Sequence, residues 1–231
     1  MLGPVDYFLW FASALLQAVV VVCAIRAHSL TRYLLLNLYM AAAFVFTVGR
    51  YVVFARHGIL SDQYIYFYYY SDAFLTICLY FALMGLYLRV FQEMGVRRYL
   101  RVAALLLLGG TAWLSYQVMA NAGHRMITRF VVELSQNLYF VGVVLTYLLW
   151  GAIMKLRETR TRLIQLVLAL GVYFSAFAAS YAVRNLYPDF LVWRYVPPIM
   201  AIFLPLAWAY TFVRIPEEAQ LATARLTTSS R

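Results

Sequence analysis

Lysine is almost absent from this sequence, with Lys155 the only one. It stands at the border of an apolar run rather than inside one, so no lysine can form a retinal Schiff base within a membrane helix. That excludes a light-driven pump of the rhodopsin kind. Histidine is nearly as scarce: His28, His57 and His124 fall in connections or at the ends of apolar runs, and no intramembrane pair is available to ligate a haem between helices. The two cysteines, Cys23 and Cys78, are read near the end of one run and in the middle of another. Their depths differ too much for a disulfide, and two buried, inert thiols are the expectation. There is no phosphate-binding glycine loop, no Gly-x-Ser-x-Gly turn and no His-Glu-x-x-His helix. No nucleophile has an evident base, so the expectation is a non-enzymatic protein with no catalytic residue, metal site or cofactor.

Charge is also in short supply. Only 12% of the 231 residues are charged and 65% are hydrophobic, with a mean hydropathy of +0.76, whereas soluble domains carry roughly 25% charged and 45–50% apolar residues. Water cannot be the solvent for most of this surface. A bilayer core about 30 Å thick needs roughly 20 apolar residues per helical span. The apolar runs predict seven spans near Tyr7–Ile25, Tyr33–Phe54, Ile65–Leu88, Tyr99–Met119, Phe130–Met154, Leu163–Val183 and Val196–Val213. Continuous apolar runs favour helices over the alternating strands of a barrel. The fold class is therefore all-α, a seven-helix transmembrane domain over residues 1–214 with a short tail over 215–231.

The formal charge of +10 sorts by loop. Arg26, Arg32, Arg89, Arg97, Arg98, Arg101, Lys155, Arg157, Arg160, Arg162, Arg214, Arg225 and Arg231 fall in one set of alternate connections. Arg50, Arg56, Arg125, Arg129, Arg184 and Arg194 fall in the other. Cytoplasmic loops are the ones enriched in Lys and Arg, so the basic excess reads as topology: N-terminus outside, C-terminus cytoplasmic, in the plasma (inner) membrane. Nucleic acid is not the expected partner. The N-terminus lacks a basic n-region and carries Asp6, so it reads as the first membrane helix rather than a cleaved signal.

Pro197 and Pro198 can open the last span, and Pro205 inside it predicts a kink. Gly109 and Gly110 in the fourth span, and Ser175, Ala176, Ala178, Ala179 and Ser180 in the sixth, predict close helix approach. A short interfacial helix is conceivable from Pro216 to Leu226, with Glu217 and Glu218 in its first turn. No internal repeat supports an inverted-repeat transporter.

Ionisable side chains within the membrane are costly and mark functional sites by default. Asp72 follows the run Tyr64-Ile65-Tyr66-Phe67-Tyr68-Tyr69-Tyr70-Ser71 on the third span. Glu133 lies one turn beyond Arg129 on the fifth, with Gln136 and Asn137 on the next turn. Arg50 and Arg184 reach a comparable depth. The candidate ligand-binding set is thus Arg50, Asp72, Glu133, Arg184, Tyr69, Gln136 and Asn137, in the outer half. A carboxylate held near guanidinium groups can anchor a polar ligand, and an unpaired one in apolar surroundings could exchange protons. A purely structural reading stands beside these: Arg129 and Glu133 as an i, i+4 pair, Arg50 and Arg184 snorkelling, and Asp72 fixing helix packing. The tyrosines divide in the same way. Most of Tyr64–Tyr70 suits an interfacial aromatic belt, whereas Tyr80, Tyr87, Tyr139, Tyr147 and Tyr173 lie deep enough to line a cavity.

The stretch Tyr66-Phe67-Tyr68-Tyr69-Tyr70-Ser71-Asp72-Ala73 entering the third span, and Arg129-Phe130-Val131-Val132-Glu133-Leu134 entering the fifth, resemble motifs of a family of uncharacterised bacterial seven-helix integral membrane proteins. The resemblance covers most of the chain and implies architecture alone. Topology is also similar to that of G-protein-coupled receptors, but the third span ends Leu88-Arg89-Val90-Phe91, without their cytoplasmic motif.

Two functional expectations follow. The first is a non-enzymatic membrane module, either an accessory subunit of a membrane complex or a sensor of a small ligand in its outer half. Its partners would be membrane lipids and a membrane protein or a second copy of itself. The alternative is a proton- or cation-coupled transporter or channel using Asp72 and Glu133. Against it, polar groups are needed at successive depths, and beyond Gln17 the cytoplasmic half offers mainly Asn37 and Gln165.

Overall fold

A computed structural model describes residues 4–27, 29–92, 97–120, 126–156, 160–187 and 196–215. Among them lie seven α-helices: α1 (Pro4–Arg26), α2 (Leu34–His57), α3 (Asp62–Val90), α4 (Arg97–Ala120), α5 (Met126–Lys155), α6 (Thr161–Leu186) and α7 (Val196–Arg214). All seven are long and apolar enough to cross a membrane, which makes this a multi-pass membrane bundle. Helix ends fall within four residues of the spans read from the sequence, mostly outside them, because a helix continues beyond the apolar zone until a cap stops it. At 1.5 Å per residue the 29-residue α3 is about 43 Å long and exceeds the hydrocarbon thickness. The segment proposed for an interfacial helix, 216–226, lies outside the described residues.

Local chemistry sets the ends. Ser61 caps α3 by accepting from the Tyr64 N–H at 3.1 Å, with Asp62 in the first turn, where a helix dipole favours negative charge. Gly58 ends α2 with φ +80° and donates its N–H to Phe54 O at 2.8 Å. Only glycine adopts that left-handed geometry without strain.

Packing follows a ring. α1 touches α2 and α7, α2 touches α3, α3 touches α5, α5 touches α6, and α6 closes on α7. α4 lies outside this six-membered ring, against α5 and α3. Tyr80 fastens it by donating to Ala104 O at 2.7 Å. Aliphatic and aromatic side chains fill the ring, with Tyr80, Phe174, Trp208, Leu83 and Leu166 wholly buried. Glycine at the α5–α6 seam makes room for side chains of the facing helix. A Cβ on Gly142 would run into the Phe174 ring, and one on Gly171 would meet a Thr146 methyl at 2.9 Å. Gly109 and Gly110, read as close-approach residues, have no neighbour within 4 Å of such a Cβ among the described residues. Ser175, Ala178 and Ala179 of the small run on α6 line an apolar groove beside Phe140, Val143, Val144 and Tyr147 of α5.

Two polar knots hold the ring's seams. Pro205 removes the N–H that would bond Ala201 O, and Ser13 of α1 takes that carbonyl at 3.2 Å. Gln17 donates to Ser13 Oγ and accepts from Thr47 of α2, so α1, α2 and α7 share one chain of hydrogen bonds where hydrocarbon offers no water. At the other end, Arg162 is buried in the first turn of α6. Its Nε donates to Ile215 O at 2.9 Å, its Nη2 to the same oxygen at 2.6 Å, and its Nη1 to Ser29 Oγ at 2.9 Å. A cation is disfavoured at a helix start but favoured at a helix end. Arg162 satisfies that rule across helices by capping the C-terminus of α7.

Candidate functional site

The site lies near the face of the bundle that holds the chain's N-terminal end. Arg50 is seven residues from the end of α2 and Asp72 ten from the start of α3, about 10 and 15 Å along their helices. Arg50 is extensively engaged. Its Nε donates to Ser71 Oγ at 2.7 Å and its Nη2 to Tyr68 O at 3.3 Å, and its guanidinium lies 4.4 Å from the Tyr68 ring centroid. Ser71 Oγ in turn donates a hydrogen bond to Tyr68 O at 2.9 Å. The fork geometry of arginine and the aromatic face beneath it make this a rigid seat.

Asp72 is held differently. Arg50 Nη2 approaches its Oδ1 only to 3.9 Å, and the two side chains retain 17% and 25% of their surface for Arg50 and Asp72. Among the described residues no group donates a hydrogen bond to this carboxylate. One turn further in, Thr76 donates to Asp72 O at 2.9 Å and pairs with the Tyr139 hydroxyl at 3.3 Å. This ties α3 to α5. Tyr139 then stacks on Phe177 of α6, with centroids 4.7 Å apart and planes at 8°, and Tyr173 lies 4.7 Å from the same ring. Tyr181 of α6 is within 5.8 Å of Tyr139. Tyr39 meets Trp208 edge-on at 6.0 Å. The rings therefore pack on one another through the interior.

Ser135 completes the layer. It stands one turn before Tyr139 on α5, as Asp72 stands one turn before Thr76 on α3, so Ser135 and Asp72 share a level of the bundle. Ser135 is 1% exposed, and among the described residues its Oγ has no hydrogen-bond partner. A buried polar atom without a partner is costly. Here an unmatched hydroxyl and a carboxylate lacking donors fall on facing helices at one depth.

The remaining sequence-predicted residues divide. Tyr69 abuts Tyr68 edge-on at 5.7 Å and belongs to the site's rim. Arg184 lies two residues from the end of α6 and is exposed, within electrostatic reach of Tyr181. Glu133 and Asn137 occupy another face of α5. Asn137 donates to Ser115 Oγ of α4 at 3.0 Å, and Glu133, six positions before Tyr139, is about 120° round the helix from it at 100° per residue. Glu133 and Gln136 are half-buried, and the structure does not bring Glu133 to Asp72. The Arg129 side chain lies outside the described residues.

Sequence reasoning missed Ser71, Thr76, Ser135 and the partner role of Tyr139. A serine or threonine inside an apolar run gives no signal of its face or partner until the helices are placed. No family model, curated protein or solved structure matches the chain. Its site must be read from its own geometry.

Proposed function

We propose that this chain is a non-enzymatic sensor of a small polar ligand, seated at the layer formed by Arg50, Asp72 and Ser135. In this reading it is a bacterial inner-membrane protein of the resembled seven-helix family, with its N-terminus outside, so that the site opens near the external face. The observation that carries the reading is the pair of unmatched groups: a carboxylate with one ion-pair partner at 3.9 Å and a buried hydroxyl with none. A ligand presenting a donor such as an amine or hydroxyl would satisfy both. The test is thermal unfolding of the purified protein in mild detergent against fractionated small-molecule extracts of its own membranes. A ligand at about 100 times its Kd stabilises by about 2.7 kcal/mol. One fraction should raise the Tm of wild type and not that of Asp72→Asn; equal shifts in both would end this reading.

A second reading, accessory subunit of a membrane complex or homo-oligomer, draws on α4. Trp113 and Leu114 of that helix are exposed, and Gly109 and Gly110 have open space beside them, which suits a neighbouring helix. Transport through Asp72 and Glu133 draws less support, because Glu133 lies on a different face of α5 from Tyr139, which meets the helix of Asp72.

A further inference from the structure

A cavity of about 490 Å³ lies at the opposite face of the bundle, between the start of α2 and the end of α3. Its rim is polar and basic, formed by Thr31, Arg32, Arg89 and Gln92. Its walls are apolar, and Leu34 and Leu35 keep 56% and 37% of their surface uncovered, so the groove opens sideways onto the hydrocarbon. The Arg89 guanidinium is set in place 4.4 Å over the Tyr33 ring. Arg160 of α6 donates to Arg89 O at 3.2 Å, which fixes the backbone there. Tyr33, the residue before α2, provides no side-chain cap, so the first turn of α2 adds the positive end of its dipole to the rim.

We infer that this groove binds an anionic phospholipid of the surrounding bilayer, headgroup against Arg32 and Arg89 and an acyl chain along the leucine wall. Three features converge. The first is the level of the groove, at a helix start and a helix end, where headgroups lie. The second is the pairing of a basic rim with an apolar slot, which suits a molecule that is anionic at one end and aliphatic at the other. The third is charge: the alternate segments that the sequence assigns to this side of the membrane carry 13 basic residues against four acidic ones, Glu93, Glu158, Glu217 and Glu218. A soluble phosphate would use the rim and leave the slot empty. A lipid uses both.

The experiment is native mass spectrometry of the full chain in mild detergent, titrated with phosphatidylglycerol, with phosphatidylcholine of the same acyl chains, and with glycerol phosphate. Wild type should retain one phosphatidylglycerol in preference to phosphatidylcholine. Arg32→Gln and Arg89→Gln should each weaken that retention about fivefold, the worth of one basic residue near anionic lipid, while Arg89→Lys keeps the preference. Gly85→Leu tests the slot without altering charge, since a Cβ there already meets Leu35 at 3.2 Å. It should lower phosphatidylglycerol retention at temperatures below the variant's own Tm, which thermal unfolding in phosphatidylcholine micelles fixes separately, because overpacking against Leu35 also costs stability. Equal retention of the two lipids would overturn the inference. So would displacement of phosphatidylglycerol by equimolar glycerol phosphate, which would assign the rim to a soluble anion, or unchanged retention in the Arg32→Gln, Arg89→Gln double variant.

Discussion

Arg162 was legible in the sequence only as one of a set of basic residues that orient the chain. Its position carried a further signal, a cation in the first turn of a helix where the dipole opposes it, and the structure resolves that conflict through the α7 carbonyls and Ser29. Removing it leaves buried acceptors without a donor. Arg162→Ala is expected to cost about 3 kcal/mol, the scale for charged hydrogen bonds, measured by chemical unfolding in detergent; Arg162→Lys should recover part of it. Ser13 shows the same logic at a proline. Ser13→Ala should cost about 1 kcal/mol in wild type and less in a Pro205→Ala background, where a restored N–H competes for Ala201 O. A double-mutant cycle reads the difference directly. Pro205 was evident as a helix irregularity from the sequence, but the hydroxyl that compensates for it lies 192 positions away in the chain, and nothing local points to it.

At the scale of the helix, all seven elements follow from apolar run length, and their ends fall within four residues of it. Which helix faces meet was less legible, because a helix apolar on all sides has no amphipathic stripe to name its buried face. The glycines illustrate this. Gly109 and Gly110 look like a packing motif and face open space, whereas the unremarked Gly142 receives the Phe174 ring. Gly142→Ala is therefore expected to destabilise by about 1–3 kcal/mol through overpacking. Gly110→Ala should stabilise an isolated chain by up to about 1 kcal/mol through helix propensity. Thermal unfolding of the two variants distinguishes them, and destabilisation by Gly110→Ala would instead support a partner helix on α4. The same limit governed the candidate site: Asp72 and Arg50 could be placed at one depth by counting residues, but the separation of Glu133 onto the α4 side of α5 depends on helix rotation.

For the whole molecule, the closed ring with α4 outside was not legible, since short connections permit several circular orders and the hydrogen bonds that choose among them join distant segments. The orientation in the membrane rests on the distribution of arginines. It is tested by a membrane-impermeant thiol reagent on intact cells, in a background with Cys23 and Cys78 replaced by alanine. Leu60→Cys, at a position 89% exposed between α2 and α3, should label at once, and Leu156→Cys only after permeabilisation; the reverse pattern would invert the topology and turn the site inward. The ligand seat itself is tested most directly by native mass spectrometry of wild type and Asp72→Asn extracted from their own membranes. A reproducible small molecule at one per chain in wild type, absent from the folded Asp72→Asn variant, is the predicted result. The same mass retained by both, or a wild-type chain that carries none, would contradict a ligand held at Asp72.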